Sequence, residues 1–432
     1  MIDTKIEIND PIHGFIGVTS LEKEVIDSAP YQRLRRIKQL SGGHFVYPTA
    51  EHTRFGHCLG AMFLASRLGE KLLPDLELGE DELQEIRVAA LLHDIGHGPF
   101  SHVFEEILLE SRQMNHEDVT EWIIRKSELG DILSNHGISP ARVADLVRGR
   151  RKRREDAILA GIVAGQIDAD KMDYLVRDSF YCGVSYGLID QDRLIESAEV
   201  GKDCALEFSL AARGVLEAFL VARYEMFMNV YYHKTVRSVE IMLVKLMTSA
   251  NSVLHLTDFR TPEEFLKLDD VSIVSTVREI DPSESSDAAE AVEMVNRLDS
   301  RRLYKPAFEK VLHTGDRFVS KLLTKRKVRE SIEEEISARA KVPAEEIIVD
   351  VPTLPSVPHN PHQQDPMEIL IFEIVEGVKT RRNLSELSNI AEMMKGYLDV
   401  IRVYTDPQYR RDVERAAREV FRGVPASAEI HM

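Results

Sequence analysis

Leu91–His102 reads LLHDIGHGPFSH and sets His93 beside Asp94, with His97 and His102 following inside ten residues. An imidazole and a carboxylate side by side are two metal ligands of different kinds. Neighbours on a helix point about 100° apart, so both reach one ion only if it sits off the helix edge and other segments complete its shell. Taken alone, such a pair is more often a helix-end histidine with a carboxylate partner. Here the apolar run Val88–Leu92 leads into the pair, and Gly96, Gly98 and Pro99 follow it. That pattern ends a core helix and lets backbone approach closely. Ionisable groups at such an end need partners, because an unpaired buried charge is costly.

Two other segments offer partners. Ala50–Gly60, AEHTRFGHCLG, spaces Arg54 and His57 three apart, on one helix face. A cation and a ligand on one face suit a metal beside a phosphate, although a surface histidine near an arginine is the commoner reading of that pair alone. Gln166–Asp178, QIDADKMDYLVRD, carries Asp168, Asp170, Asp173 and Asp178, with Lys171, Tyr174 and Arg177 between them. A charge run is usually a solvated face. This one is broken by Ile167, Met172, Tyr174, Leu175 and Val176, so some of its acids are expected to point inward.

HTRFGH, then HD with HGPFSH, then NHE, then DADKMDY is an ordered set that resembles the HD-domain metal-dependent phosphohydrolases, and among them the deoxynucleoside triphosphate triphosphohydrolases of the SAM-and-HD-domain type. The likeness begins at Asn9–Gly14 and Tyr31–Leu40 and runs through Arg223 and Tyr231–Lys234. It continues more faintly in Arg301–Lys305, Ile347–Val351 and Ile401–Tyr404. The resemblance implies His57, His93, Asp94 and Asp170 as ligands of one divalent metal ion per site. Mixed nitrogen and oxygen donors suit Mn²⁺, Fe or Zn²⁺, and Mg²⁺ less, since it prefers oxygen. It implies His97 and His116 beside the scissile ester, with His116 protonating the leaving oxygen and Glu105 orienting a histidine; relatives carry aspartate where this chain has Glu105. Arg54, His102, Lys171 and Arg223 would hold the triphosphate, and Gln39, Leu40, Tyr174 and Asp178 would line the sugar and base pocket. For Arg223 and Lys234 the competing reading is a salt-bridged helix face. Regulatory nucleotides sit between subunits in that family, and Asp27, Gln32, Arg35, Arg301 and Lys305 match the positions that contact them, whereas Ile6 and Glu7 do not match. A homo-oligomer and an activating nucleotide follow from the same likeness.

The expected reaction converts a nucleotide substrate, a dNTP, into a deoxynucleoside and inorganic triphosphate. Two other readings keep the fold. One is an HD-type phosphodiesterase or nucleotidase acting on another phosphate ester, which would not need Gln39, Tyr174, Asp178 and Arg223. The other is a non-catalytic nucleotide-sensing or nucleic-acid-binding module, which would not need a complete set of ligands and acid–base histidines.

Composition narrows the class. At 432 residues with 44% hydrophobic content the chain can bury a sizeable core and carry a smaller appendage. A net charge of −17 argues against binding DNA or RNA by bulk electrostatics. Two basic runs, Arg148–Arg154 and Lys325–Arg329, stand against that average; each reads first as a solvated face and second as an anion site. No apolar run approaches the ~18 residues of a membrane span. The polar opening MIDTKIEIND gives no sign of a signal peptide. Cys58, Cys182 and Cys204 are scattered without zinc or disulfide spacing, so a reducing cytoplasm is the expected location.

The fold class expected is mainly α: a helical HD domain over residues 1–330 and a small α+β C-terminal region over 331–432. Apolar returns at three and four residues predict helices over Leu21–Leu40, Gly60–Leu73, Glu82–His93, Ser139–Arg148, Asp156–Ala164 and Arg213–Met247. Asp281–Ala288 reads as a polar loop and Val351–Pro366 as a Pro-rich connector whose His359 and His362 are not expected to bind metal. Ile347–Val351, Glu368–Ile374 and Asp399–Tyr404 read as strands of one small sheet.

Overall fold

The computed structural model describes residues 2–314, 325–351, 353–355, 369–375, 378–393 and 397–422. Helices dominate, and a small α+β region closes the chain. The Pro-rich connector, including His359 and His362, lies almost wholly outside the described residues.

The helix Arg54–Leu72 runs through the centre. Phe55, Cys58, Leu59, Met62, Leu64 and Leu68 bury it on nearly every side, as expected of a helix apolar all round. Glu80–Leu92 packs beside it. Three acids fill its first turn and Leu83, Ile86, Val88, Leu91 and Leu92 its core face. It ends at His93, followed by turns in which Phe100 and Ser101 both have φ +56°. His102–Arg112, His116–Lys126 and Ala169–Cys182 follow. Asp168 caps the last of these, its carboxylate accepting from Lys171 N–H at 2.8 Å.

Two expected long helices are broken, each for a local reason. Leu21–Leu40 divides into Ser20–Asp27 and Ala29–Arg33 plus a 3₁₀ turn at Leu34–Arg36, because Ser28 is extended and Pro30 has no N–H to give. Arg213–Met247 divides into Arg213–Met226 and Lys234–Leu254 around a π-turn at Phe227–Tyr231. Ser285 caps Ser286–Asp299, so the polar loop ends three residues short of its expected end at Ala288.

Strands β1 (Ile6–Asp10) and β2 (Gly14–Val18) form an antiparallel hairpin with Asp10 opposite Gly14. Strands β3 (Ala198–Val200) and β4 (Leu206–Ser209) form another. Strands β5 (Lys305–Thr314), β6 (Ile347–Asp350) and β7 (Thr353–Pro355) all pair with the last strand. Strands β8 (Leu370–Val375) and β9 (Val378–Asn383) pair with each other, and β10 (Tyr397–Thr405) is that last strand. The expectation of one C-terminal sheet is corrected here. β6 and β10 pair antiparallel, but β8 lies parallel to β4 in a separate sheet ordered β3-β4-β8-β9. Opposite charges favour that placement: Arg381 and Lys379 of β9 meet Glu207, with Glu199 also on Lys379. The β5-β10-β6 sheet and helices Arg326–Ala340 and Arg410–Val420 enclose a second core around Ile336, Val349, Ile401, Val403 and Val413.

The basic run Arg148–Arg154 is largely paired within the fold, and the run Lys325–Arg329 in part. Arg148 pairs with Asp118, Arg150 with Glu121 and Asp145, Lys152 with Asp145, and Arg326 with Glu110 and Glu330. The three cysteines are buried and free. Among the described residues, no helix is long and apolar enough to cross a membrane.

One buried pair fastens the first hairpin to the central helices. Glu22 takes Arg87 Nε and Nη2 at 2.6 Å each, and Arg87 also donates to Gly17 O and Ser66 Oγ. Glu22→Ala leaves that guanidinium buried without its carboxylate, a loss of about 3–5 kcal/mol. Urea unfolding measures it, and a loss below about 1 kcal/mol would contradict the role given to the pair.

Candidate metal centre and active site

Three segments deliver the expected ligands to one point. Residues 37–39 run beside 52–54, with Arg54 N–H on Ile37 O and Gln39 N–H on His52 O at 3.0 Å each. This pairing starts the Arg54–Leu72 helix and places His57 one turn in. His93 and Asp94 end the second helix, and Asp170 lies in the first turn of Ala169–Cys182. His57 Nε2 stands 3.2 Å from His93 Nε2, 3.1 Å from Asp170 Oδ1 and 3.7 Å from Asp94 Oδ2. His93 Nε2 lies 3.3 Å from Asp94 Oδ1 and 3.6 Å from Asp170 Oδ1.

The other nitrogen of each ring decides what this cluster can do. His57 Nδ1 faces Asp173 Oδ2 at 2.8 Å and His93 Nδ1 faces Ala90 O at 2.7 Å. Both partners only accept, so both Nδ1 atoms donate, and the neutral rings turn bare Nε2 lone pairs toward each other. Two imidazole lone pairs and two carboxylates converge, with Arg54 donating to one oxygen of Asp94, and the excess of lone pairs calls for a cation. A divalent metal ion fits this donor set, with its remaining positions open to water or a phosphate oxygen.

Protonation is the alternative way to supply positive charge. Burial pushes His57 down, but the Asp170 and Asp173 carboxylates outweigh it and hold its proton up to about 10. Burial likewise opposes the charge on His93, and Asp94 and Asp170 overcome it and raise that group too. Burial also opposes charge on the two carboxylates. Arg54, His93 and His97 nonetheless hold Asp94 well below its usual range, and His57 and His93 do the same for Asp170.

Next to this centre, His97, His102 and His116 bring three ring nitrogens within 4.8 Å of one another. The His97 and His116 rings stack at 4.1 Å. Gly96 allows that approach: a Cβ there would stand 2.3 Å from His116 O and from Thr120 N. Glu105 accepts from His102 Nδ1 and His116 Nδ1 at 3.0 Å each. It therefore reaches both rings despite the longer side chain. Burial, then the charges of Arg54 and His116, push His97 well below an ordinary histidine. Burial lowers His116 as well, but Glu105 prevails and the net shift is upward. Charge is thus disfavoured on one imidazole and favoured on its stacked neighbour.

The remaining expected residues divide. Arg54 is buried between Asp94 Oδ2 and Ser101 Oγ. Asp178 accepts from His52 Nε2 at 2.7 Å and Tyr231 O–H at 2.8 Å, and Tyr231 meets Tyr174 edge-on at 6.4 Å. Burial raises the Tyr174 hydroxyl, with nearby Arg223 opposing it. Gln39 and Leu40 are half-buried, and Gln39 Oε1 is enclosed without a hydrogen-bond partner among the described residues. Lys171 does not point freely into the site: its Nζ donates to Asp168 Oδ2 at 2.6 Å and Gly165 O at 3.1 Å. Asp27 pairs with Lys23, Gln32 bonds Ile26 O and Arg35, and Arg35 lies 3.6 Å over the Phe55 ring. Arg301 donates to Phe45 O and Lys305 opens β5, exposed.

Sequence reasoning gave no site role to Asp10, His13, His52, Asp173, Arg177 or Tyr231. Asp173 and Arg177 had a usable signal, opposite charges four apart on a helix otherwise heading into the core. His13 and His52 had none, since their partners lie 160 and 126 residues away.

Comparison with known proteins agrees with the geometry. Residues 54–178 match the HD domain, and residues 189–429, more than half of the chain, match the HD associated region. The chain belongs to the family of HD-domain proteins that carry this associated region. It is 35% identical over 321 residues to a protein of Dictyostelium discoideum named deoxynucleoside triphosphate triphosphohydrolase SAMHD1 homolog, covering 71% of this chain and 61% of that one. It is 30% identical over 406 residues to human deoxynucleoside triphosphate triphosphohydrolase SAMHD1, covering 81% and 62%. The chain thus spans about three fifths of the length of these curated relatives. A crystal structure of a hypothetical protein from Aquifex aeolicus superposes with a TM-score of 0.76 at 29% identity, over 95% of this chain and 99% of that one.

The raised His57 makes the metal-free protein pH-sensitive. Its folded value of about 10 exceeds the ordinary 6.5, so its contribution to stability is complete below pH 6.5 and lost as pH rises toward 10. Thermal unfolding of chelator-treated protein should therefore show stability falling across that window, and Asp170→Asn should flatten the fall. A metal-free protein whose His57-dependent stability is level from pH 6.5 to 10 would contradict the charge balance described.

Proposed function

We propose that this protein is a metal-dependent phosphohydrolase that cleaves dNTPs to a deoxynucleoside and inorganic triphosphate. The observation that carries the proposal is the convergence of His57, His93, Asp94 and Asp170 around a point where lone pairs outnumber donors. The names of the relatives supply the substrate class.

In this reading those four side chains hold one divalent ion, Mn²⁺, Fe or Zn²⁺ by ligand type. A bound ion polarises a phosphoryl oxygen and lowers the pKa of water. The chain's own groups do the rest. Arg54, buried beside Asp94, places a fixed positive charge where a phosphate would lie. His116, kept protonated by Glu105, is the group able to give a proton to the leaving 5′-oxygen, and neutral His97 is not. Asp178 has two lone-pair positions left after His52 and Tyr231, enough to accept from a 3′-hydroxyl. Tyr174 and Tyr231 close the sugar face against a 2′-hydroxyl. With Lys171 committed to Asp168, Arg223 and His102 are the further candidates for the triphosphate.

Incubation with each dNTP and Mn²⁺, singly and mixed, should release inorganic triphosphate, while a cyclic nucleotide and a monophosphate should not react. Absence of triphosphate from every dNTP condition would sink the proposal. Asp94→Ala should lose both metal and turnover. His116→Ala should keep its metal and lower kcat about 10²- to 10⁴-fold; unchanged kcat would remove His116 as the acid.

A further inference from the structure

The face of His57 turned away from the ion is held by contacts that begin in the N-terminal hairpin. We propose that Asp173 is a positioning residue for His57, and that the β1–β2 turn, through His13 and Asp10, fixes Asp173 and so sets the affinity of the site for its divalent ion. The inference rests on the metal assignment above, not on the choice of substrate.

Asp173 Oδ2 accepts from His57 Nδ1–H at 2.8 Å. That bond fixes the tautomer and the ring plane, and so aims the Nε2 lone pair at His93, Asp94 and Asp170. A carboxylate behind a ligating imidazole also makes the ligand more basic. Asp173 is fully buried and has no water to turn to, so its own position must come from protein groups. His13 Nε2 donates to its Oδ1 at 2.6 Å, and Arg177 donates from Nε and Nη2 at 2.8 and 3.0 Å.

The hairpin turn supplies one anchor, His13, and holds the other, Arg177. Asp10 takes Arg177 Nη1 and Nη2 at 2.8 and 3.2 Å. Its Oδ1 also accepts from the N–H groups of Ile12 and His13 at 2.9 and 3.0 Å, a side-chain-closed turn. Gly14, at φ +72°, completes the reversal. The His13 ring lies 5.0 Å from that of Phe63, on the same helix as His57. Between them Gly60 leaves room: a Cβ there would stand 1.9 Å from Asp173 Oδ1 and 2.5 Å from Arg177 Nη2. The turn, the helix carrying His57 and the helix carrying Asp170 therefore meet at one buried carboxylate.

Metal-free wild type, Asp173→Asn and His13→Leu are titrated with Mn²⁺ by calorimetry, and their thermal unfolding is recorded alongside. Asp173→Asn should weaken Mn²⁺ binding about 10- to 100-fold. His13→Leu keeps the Asp173–Arg177 pair and should weaken binding by a smaller factor, with a metal-free melting temperature like wild type. Raising Mn²⁺ should restore dNTP turnover in His13→Leu, which a simply misfolded protein would not allow. Wild-type Mn²⁺ affinity in His13→Leu overturns the role of the hairpin, whether or not Asp173→Asn folds. Wild-type affinity in a folded Asp173→Asn overturns the positioning role itself. Asp94→Ala is the reference: if it too binds Mn²⁺ like wild type, the metal assignment is at fault rather than the hairpin.

Discussion

Two imidazole nitrogens face each other at 3.2 Å with a proton on neither in the neutral rings, because each ring has spent its N–H elsewhere. Carboxylates on both sides add to the same excess of electron pairs. Arg54 answers one oxygen of Asp94 only. Low-dielectric surroundings make such a cluster untenable without positive charge at its centre. The fold supplies the rigidity that keeps the lone pairs converged: a central helix buried on nearly every side, and a second helix that ends where His93 and Asp94 must turn inward.

The same few residues push two imidazoles in opposite directions over a short distance. His97 shares Asp94 with the proposed metal ligands, and burial, then the charge of Arg54, pushes it well below an ordinary histidine. His116 stacks on it, and there Glu105 overcomes burial and raises it. Glu105 is itself held below the usual carboxylate range: burial works against ionisation, and His102 and His116 overcome it. His97 and His116 stack while His102 stands edge-on to both, and in the proposed reaction the trio serves as an acid–base group.

Much of this was legible in the sequence, for a physical reason. His93, Asp94, His97 and His102 are near neighbours, so backbone geometry alone constrains them. Asp170 follows its helix cap by two residues. What escaped depends on distant partners. The basic run Arg148–Arg154 reads first as a solvated face and second as an anion site, and Asp118, Glu121 and Asp145 come from two other helices to meet it. The strand Leu370–Val375 was recognisable as a strand, yet its alternation says nothing of which edge it joins. The π-turn at Phe227–Tyr231 leaves the apolar spacing of the flanking helices intact, so periodicity reads straight through it.

That π-turn explains why the C-terminal sheet is more than an appendage. The turn ends at Tyr231, whose hydroxyl bonds Asp178, and side chains of β10 reach the carbonyls just beyond it. Arg402 donates to Tyr232 O at 2.6 Å and the Tyr404 hydroxyl to Lys234 O at 2.8 Å. Just beyond, Arg237 is clasped by Asp350 of β6, with Nη2 to Oδ1 at 2.7 Å. A break between two buried helices is tolerable only if its exposed carbonyls are satisfied, and here a sheet from the far end of the chain does so. The position of Tyr231 against Asp178 is thereby tied to β6 and β10, which lie well over a hundred residues later. Substitutions at Arg402 or Tyr404 act first on the geometry of that tyrosine and only through it on Asp178, while the proposed metal ligands, carried by helices other than that of the tyrosine, stay in place.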